Sequence, residues 1–457
     1  MDAMPSDAAE GFSSPYAAQA PGTMGVDMET ITGSVASAAP FVRVMIPRSR
    51  TRFNRLFLIG TCSTYLSVEA LKAAVAEAKS GKDVSRYERA VQALAEAAPN
   101  EAEAAIDMDW AERLHKVVKT ETDRLEHELR GYKNNLIKES IRMGNEDLGQ
   151  HYHQIGDLVS AFKAYSRMRD YCTTPSHIAS MLFKIINVAI ERGDWLSVQS
   201  HVSRLRGLQS KQEEQAKNQP KMSAAMGLSQ LHSGSYLEAA NSFLATDPSL
   251  SDSYNEVLTS NDVAVYGGLC ALASMDRNEL QRRVLDNNSF RNFLELEPHI
   301  RRAISFFCNS KFRPCLEILE AYRADYLLDI HLQRHVQTLY TRIRTKSIQQ
   351  YLIPFNRVSL DSMSKIFVLG SRPNQPSETD SSSPFVQELI GLIQDSTLDA
   401  RIDLEKRVLV SSQDDLRMEA GLEVRALPEE KRSKLEERGG RKGGLGGMFS
   451  RGSSMKG

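Results

Sequence analysis

The sequence lacks most of the features that mark secreted, metal-binding and membrane-spanning proteins. Its 457 residues include only five cysteines, an odd number, and none of them stands in a CxxC or mixed Cys/His metal spacing. No apolar run approaches the roughly 20 residues that a membrane helix needs. The first residues lack the basic stretch and apolar core of a secretory signal. We therefore expect a soluble protein of a reducing, intracellular compartment, without membrane contact.

An excess of charge of one sign is also missing. Lys and Arg number 57, Asp and Glu number 58, and the net charge is −1. Bulk charge therefore gives no reason to expect nucleic acid or an anionic membrane as the main partner. Hydrophobic residues make up 41% and charged residues 25% of the chain, which is ordinary for a folded protein. The length suffices for about three domains or one long solenoid.

Two histidine pairs come nearest to a metal motif. His331 and His335 lie one helical turn apart, a spacing that can hold zinc, but Leu332 stands where a zincin needs its glutamate base. His151 and His153 are two residues apart and therefore point to nearly opposite faces of a helix. We predict no metal site, no cofactor and no catalytic residue. A hydrolase with residues scattered along the chain is the enzymatic alternative, and no motif supports it.

Helical periodicity is present, and it is organised in repeats. Helix–break–helix units recur with breaks at Gly156-Asp157, Gly193-Asp194 and Gly234-Ser235, which are 37 and 41 residues apart by their numbers. That spacing is near the roughly 34 residues of a tetratricopeptide repeat. Glycine adopts the left-handed conformation that ends a helix. One helix pair cannot bury its apolar face alone, so successive pairs should stack. A further break is predicted at 309–312.

Two segments are predicted to be long, continuous helices. Trp110–Met143 is highly charged, with apolar residues three and four positions apart. Leu327–Tyr351 has the same spacing and should end before Pro354, because proline cannot extend a helix interior. A third helix, opening at Asn261, should be closely approached by another helix. The small residues that permit this approach are Ala264, Gly267, Gly268 and Ala271.

After Pro354 the pattern changes to two short helices and a hairpin, which is the order of a winged helix. Ser359 is a favourable N-cap for a helix through Phe367, and a second helix spans Phe385–Gln394. Leu398–Val410 alternates apolar and polar residues, as a β-hairpin does. The second helix carries Glu388 and no Lys or Arg, which disfavours binding to DNA phosphates. A stand-alone nucleic-acid-binding winged-helix protein is nevertheless one alternative.

These patterns predict a fold class and a set of boundaries. The fold is predicted to be an all-α solenoid of tetratricopeptide-like helix pairs, followed by a small α/β winged helix. Low apolar content predicts disorder at both ends of the chain. The predicted parts are a disordered tail (1–50), helical repeats (51–260), a second domain (261–410, with a helical part at 261–353 and the winged helix at 354–410), a helical segment (411–437) and a disordered Gly-rich basic tail (438–457).

The order of helical repeats and winged helix resembles the PCI family. Long, non-repetitive strings carry the likeness, among them YKNNLIKESIRMGNEDLGQHY and NDVAVYGGLCALASMDRNELQRRV. This family supplies scaffold subunits to the proteasome lid, the COP9 signalosome and translation initiation factor 3. The strings resemble the signalosome members most, over roughly residues 51–410. By this resemblance, 261–410 would be the PCI domain.

The resemblance implies a non-catalytic scaffold subunit of the COP9 signalosome. That complex removes the ubiquitin-like protein NEDD8 from the cullins of cullin-RING ubiquitin ligases. The implied partners are the other PCI subunits and the metalloprotease subunit, with cullin-RING ligases reached indirectly. The implied location is the cytoplasm and nucleus. The alternative within the same family is the homologous regulatory subunit of the 26S proteasome lid.

A scaffold acts through its contact surfaces, and the hairpin offers a candidate. An exposed strand edge has unpaired N–H and C=O groups that can add a neighbour's strand. Proline at Leu404 is predicted to break such pairing, because proline cannot donate to the ladder. The predicted interface residues, in the hairpin and in the C-terminal helical segment, are Arg401, Asp403, Leu404, Glu405, Leu416 and Leu427.

Overall fold

The computed structural model describes residues 50–208, 212–369 and 383–411. This part is almost entirely α-helical with one small sheet, which confirms the predicted fold class. It divides into two compact units. The first comprises the described residues up to Arg301 together with Ile318–Leu339, and the second comprises Arg302–Glu317 and the described residues from Tyr340 onwards. The predicted boundaries stay a prediction, and the predicted tails and C-terminal helical segment lie outside the described residues except for Arg50 and Ser411.

The helices follow one another with short connections. None of those in the described ranges combines the length and the apolar character needed to cross a membrane. In chain order they are α1 (Arg50–Cys62), α2 (Ser67–Ser80), α3 (Val84–Ala97), α4 (Met108–Asn134), α5 (Lys138–Ile155), α6 (Leu158–Arg167), α7 (Pro175–Arg192), α8 (Trp195–Arg206), α9 (Gln212–His232), α10 (Tyr236–Leu244), α11 (Ser260–Ser274), α12 (Arg277–Glu279), α13 (Asn288–Leu296), α14 (Pro298–Cys308), α15 (Phe312–Ala321), α16 (Arg323–Leu327), α17 (Val336–Leu352), α18 (Leu360–Phe367) and α19 (Pro384–Gln394). Short 3-10 turns span Ala102–Ala104, Met168–Tyr171 and Pro248–Leu250, and a π-helical turn spans Leu280–Leu285.

The predicted helix pairs are α5/α6, α7/α8 and α9/α10. Each pair turns at a glycine whose φ lies between +70° and +91°, as the sequence predicted: Gly156, Gly193 and Gly234. In the first two pairs an aspartate then caps the return helix. The carboxylate of Asp157 accepts the amide N–H of Ser160, and that of Asp194 accepts the amide N–H of Ser197. The break predicted at 309–312 separates α14 from α15.

The predicted continuous helix Trp110–Met143 is wrong. Helix α4 ends at Asn134, the chain turns through residues 135–137, and α5 packs against α4. Leu136 has φ +55°, which no α-helix allows. The turn escaped detection because Leu136 keeps the helical spacing of the apolar residues before it, although two adjacent asparagines mark the break.

The predicted continuous helix Leu327–Tyr351 is also wrong. Helix α16 ends at Leu327 and α17 begins at Val336. Between them, one carboxylate oxygen of Asp329 accepts the amide N–H groups of His331 and Leu332, each at 2.9 Å. These amides bond a side chain instead of the carbonyls that would continue a helix, so the chain turns here. Helix α17 ends at Leu352, before Pro354, as predicted.

Helix α11 lies at the centre of the first unit. Twelve of its fifteen residues are buried, as expected of a helix that is apolar on all sides. A Cβ atom added at Gly267 would lie 2.9 Å from the ring of Phe290 in α13 and 3.0 Å from Cβ of Phe243 in α10. The close approach predicted for the small residues of α11 is thus confirmed at Gly267.

The second unit contains the winged helix. Its strands are β1 (Arg357–Ser359), β2 (Ala400–Asp403) and β3 (Val408–Ser411), antiparallel and in the order β1-β3-β2. Leu409 of β3 pairs with Val358 on one side and with Ile402 on the other. Helix α18 begins after Ser359 as predicted, although the Ser359 side chain makes no capping hydrogen bond. Strand β1 was not predicted, because three residues are too few to show a period of two.

Two glycines test the packing of α4, α5 and α6. A Cβ atom at Gly149 of α5 would lie 2.5 Å from Cε1 of the buried Tyr165 in α6, whereas one at Gly131 of α4 would meet nothing within 4 Å. We expect Gly149→Ala to destabilise the protein by about 1–3 kcal/mol through overpacking. Gly131→Ala should stabilise it by about 0.5–1 kcal/mol, because alanine favours a helix. Chemical denaturation of both variants measures the two effects, and equal effects would contradict the packing described here.

Candidate assembly surface and buried polar network

The sheet of the winged helix has two edges, because β3 lies between β1 and β2. Among the described residues, β2 pairs only with β3. Alternate N–H and C=O groups of β2 therefore point away from the sheet. Arg401 lies within this strand with an exposed side chain, and Asp403 ends it. The side of β2 that faces away from β3, residues 400–403, is called the β2 edge below.

Two of the predicted interface residues do not belong to the β2 edge. Leu404 and Glu405 lie in the exposed turn between β2 and β3, and Leu404 is 46% exposed instead of continuing the buried face. The strand ends because the carboxylate of Asp403 accepts the amide N–H of Lys406 at 3.0 Å and begins the turn. Proline at Leu404 would therefore perturb the turn and not the edge. Leu416 and Leu427 lie outside the described residues.

Helix α19 of the winged helix is fixed by charged and aromatic contacts. Arg344 of α17 donates to both carboxylate oxygens of Glu388 in α19, at 2.6 and 2.9 Å, and to the carbonyl of Phe367 in α18 at 2.8 Å. Phe367 stacks on Phe385 with ring centroids 6.2 Å apart. Two parallel hydrogen bonds to one carboxylate define a geometry as well as an energy. The winged helix is thereby held as one body against α17.

The first unit contains a buried ion pair. Arg55 of α1 and Asp262 of α11 are both buried, with 3.2 Å between Nη1 and Oδ1 and a second contact between Nη2 and Oδ2. Asp262 also forms a capping box with Thr259 at the start of α11. Burial alone would lower the pKa of Arg55, but the charge of Asp262 outweighs it and the pKa is raised. The guanidinium group therefore stays charged inside the protein.

One helical turn further along α11, Tyr266 continues the polar network. Its hydroxyl donates to the carboxylate of Asp329, at 2.8 and 2.9 Å from the two oxygens. The same carboxylate holds the turn between α16 and α17. Burial, with the charges of Asp262 and Asp329, raises the pKa of Tyr266 well above its usual range. Tyr266 therefore remains a neutral donor to Asp329.

Three histidines complete the network. His232 Nε2 lies 3.1 Å from His331 Nδ1, and Trp195 stacks on His232 with ring centroids 3.9 Å apart. His335 Nδ1 lies 3.0 Å from the hydroxyl of Tyr236. Burial, the chief cause, lowers the pKa of both His232 and His331 to about 3, so both rings are neutral at pH 7. In the part of the chain that the structure describes, no group of three or more His, Cys, Asp or Glu could hold a metal ion.

The network was only partly accessible to sequence analysis. The spacing of His331 and His335 drew attention to these two residues, but His232 lies 99 positions earlier and carries no motif. The arrangement buries neutral histidine rings and an ion pair between charged side chains. It holds α1, α11 and the Asp329 turn together, which is a structural role.

A charged cavity of about 530 Å³ lies near the start of α1. Arg50 reaches Asp83 at 2.9 Å and Glu191 at 2.7 Å, and His153 Nε2 lies 2.7 Å from the other oxygen of Glu191. Burial alone would raise the pKa of Glu191, but His153 and Arg50 together lower it to about 2. These charges join α1, α5 and α7 and satisfy one another. Sequence analysis missed this cluster, since Arg50 and Glu191 are 141 positions apart.

His151 and His153 point to different faces of α5, as their spacing predicted. His151 Nε2 is 2.8 Å from the hydroxyl of Thr122 in α4, whereas His153 contacts Glu191 in α7. The two rings thus join α5 to different helices.

Replacing Asp262 tests the buried ion pair. Asp262→Asn would leave the guanidinium of Arg55 buried without a counter-charge, so we expect it to destabilise the protein by about 3–5 kcal/mol. Chemical denaturation at pH 7 measures the loss. The double variant Arg55→Met/Asp262→Asn should recover part of it, because the unpaired guanidinium is then removed. A single variant as stable as the wild type would contradict the network.

The neutral histidines predict a pH dependence. Their pKa values are near 3 in the folded protein and near 6.5 when unfolded, so the unfolded chain binds more protons between these values. Stability is fully present above about pH 6.5 and falls as the pH drops towards 3, by at most about 1.4 kcal/mol per pH unit for each ring. Denaturation of wild type and His331→Phe between pH 5 and 7.5 should show a smaller slope in the variant. Equal slopes would contradict this prediction.

Comparison with family models gives two matches along the chain. Residues 107–283 match the model described as 26S proteasome subunit RPN7, and residues 319–413 match the PCI domain. The second match covers all of α17 and the winged helix with its β2 edge. The first covers the helix pairs and α11.

Comparison with curated proteins gives strong similarity over most of the chain. The COP9 signalosome complex subunit 1 of Emericella nidulans is 74% identical, over 97% of this chain and 97% of that protein. The protein of the same name from Arabidopsis thaliana is 39% identical over 81% of each chain. The 26S proteasome non-ATPase regulatory subunit 6 of Caenorhabditis elegans is 24% identical over 63% of this chain.

Proposed function

The chain belongs to the family of COP9 signalosome complex subunit 1, and from this we propose that it is a non-catalytic scaffold of the signalosome. In this proposal the complex removes NEDD8 from the cullins of cullin-RING ligases. The chain holds neighbouring subunits in position so that the metalloprotease subunit meets its substrate. The other PCI subunits are its direct partners, cullin-RING ligases are reached indirectly, and it acts in the cytoplasm and the nucleus.

The β2 edge is the observation that carries the scaffold proposal. In this proposal, a strand of another chain pairs with β2 on the side away from β3. The ion pair between Arg344 and Glu388 holds the adjoining helix in place. A rigid edge loses little conformational freedom on binding, which favours stable assembly. Arg401 and Asp403 are the predicted interface residues that lie in this strand.

The buried thiols of Cys270 and Cys315 are unsuited to nucleophilic catalysis. Burial raises the pKa of Cys270 far above its usual range and that of Cys315 to about 12. A thiol nucleophile needs the opposite shift, since the thiolate is the reactive form.

The alternatives have weaker support. Identity to the proteasome regulatory subunit is 24%, against 74% for the signalosome subunit, which favours the signalosome over the lid. A nucleic-acid-binding winged helix would need cations on α19, and Glu388 is the charged residue of that helix.

Purification of the tagged chain from its source cells tests the assembly. We expect the other signalosome subunits to co-purify, and the preparation to release NEDD8 from a neddylated cullin. Proteasome lid subunits in their place would move the chain to the other complex. A chain recovered alone, or with nucleic acid that salt removes, would overturn the scaffold proposal.

Two proline variants test the β2 edge. Successive amides of an antiparallel strand point to opposite sides, so either Arg401 or Ile402 has its N–H directed away from β3. Of Arg401→Pro and Ile402→Pro, one should leave the sheet folded but reduce co-purification of a PCI partner at least about tenfold. The other should disturb the hairpin itself. Thermal melting shows which of the two variants keeps its fold. Full assembly of both variants would count against edge pairing.

A further inference from the structure

The turn between α4 and α5 exposes apolar side chains at its tip. Leu136 is 80% exposed and Ile137 is 54% exposed. All residues from Lys133 to Glu139 are exposed. We call residues 133–138 the α4–α5 tip. Isolated exposed leucines are common on protein surfaces, so exposure alone would carry no argument.

The backbone of Leu136 makes this position unusual. Its φ of +55° lies in the left-handed region, where a Cβ atom is disfavoured and glycine or asparagine is usual. An exposed leucine gains nothing from burial in return. Leu136 therefore serves neither the stability of the turn nor its solubility. A residue held in a disfavoured conformation without a benefit to the fold points to a role in contacting something else.

The tip is presented on a rigid hairpin. A Cβ atom at Gly144 of α5 would lie 3.1 Å from Leu129 and 3.0 Å from Tyr132 of α4, so the two helices touch closely near the turn. Further along α5 from the turn, Arg142 lies 2.6 Å from Glu146, and Glu146 also contacts Lys184 of α7. The buried residues that join the two helices are Leu125, Leu129, Ile141 and Leu148.

Uncompensated positive charge surrounds the exposed leucine. Lys133 and Lys138 are exposed and form no ion pair with the residues that the structure describes. Three glutamates near the tip in sequence are already engaged: Glu126 lies 3.5 Å from Arg130, Glu128 lies 2.5 Å from Arg124, and Glu139 lies 2.6 Å from Arg142. The apolar tip therefore lies between two available cations.

We propose that the α4–α5 tip is a docking site for another protein, one that offers a small apolar pocket bordered by carboxylates. Leu136 fills the pocket, and Lys133 and Lys138 pair with the carboxylates. A phosphate-bearing surface would use the lysines but would leave the leucine without a role. This site is separate from the β2 edge and does not depend on it.

Photo-crosslinking from position 136 of the full-length chain, in assemblies purified from the source cells, identifies the partner surface. We expect crosslinks to one protein, at a segment that carries Asp or Glu beside apolar residues. Leu136→Asn and Lys133→Glu/Lys138→Glu should each reduce retention of that protein at least about tenfold, because one removes the anchor and the other reverses the charge. Exchange of the partner's acidic residues for lysine should restore binding to the charge-reversed variant.

The thermal stability of the isolated chain provides a second measurement. Leu136→Asn should raise the Tm by about 1–2 °C, because asparagine tolerates the left-handed backbone. Leu196→Asn is the matched control, since Leu196 is 79% exposed but lies inside α8. It should neither raise the Tm nor release the crosslinked protein.

Several results would overturn the proposal. These are crosslinks confined to the chain itself, unchanged retention with Leu136→Asn, or equal loss with Leu196→Asn. Fluorescence anisotropy with a 20-base-pair DNA duplex and sedimentation with phosphatidylserine vesicles test the phosphate alternative. The tip would be assigned to phosphate groups instead if either probe bound at 150 mM salt, if Lys133→Glu/Lys138→Glu abolished this binding and if Leu136→Asn left it intact.

Discussion

The ion pair between Arg55 and Asp262 is the contact on which the first unit depends. A buried charge without a partner is strongly unfavourable, so α1 and α11 can adopt only the alignment in which the two groups meet. Tyr266, one helical turn after Asp262, donates to the carboxylate of Asp329, where the chain turns. His331 contacts His232 of α9, and Trp195 of α8 stacks on His232. Apolar packing supplies most of the stability of such a unit, whereas these few polar groups define which helices lie together.

The repeats could be predicted from the sequence because their signals are local. A left-handed glycine, followed in two of the three pairs by a capping aspartate, marks the end of one helix and the start of the next. The turns at 135–137 and 328–335 could not be predicted in this way, since apolar spacing continues through them. Asp329 forms its turn with the help of Tyr266, which is 63 positions away. The charged cavity and the place of His232 depend likewise on residues that only the fold brings together.

The second unit shows how a small domain can hold a short edge strand in a defined position. Three short strands would be a weak structure alone. They are supported by the stacking of Phe367 in α18 on Phe385 in α19, and by the two hydrogen bonds that Arg344 donates to Glu388. A fixed edge of this kind suits the assembly role proposed above. Leu404 lies in the turn between β2 and β3 and not in a strand.

The distance along the chain between Arg55 and Asp262 also has a consequence for biosynthesis. These residues are 207 positions apart. A ribosome that adds about 5–20 residues per second needs roughly 10–40 s to make the intervening chain. Throughout that time the guanidinium of Arg55 lacks its carboxylate. The apolar face of α1 can pack on α2 and α3 as soon as these helices emerge, because Phe53, Leu56 and Ile59 share one core cluster with them. The buried ion pair to α11 is therefore the part of the α1 interface that forms last.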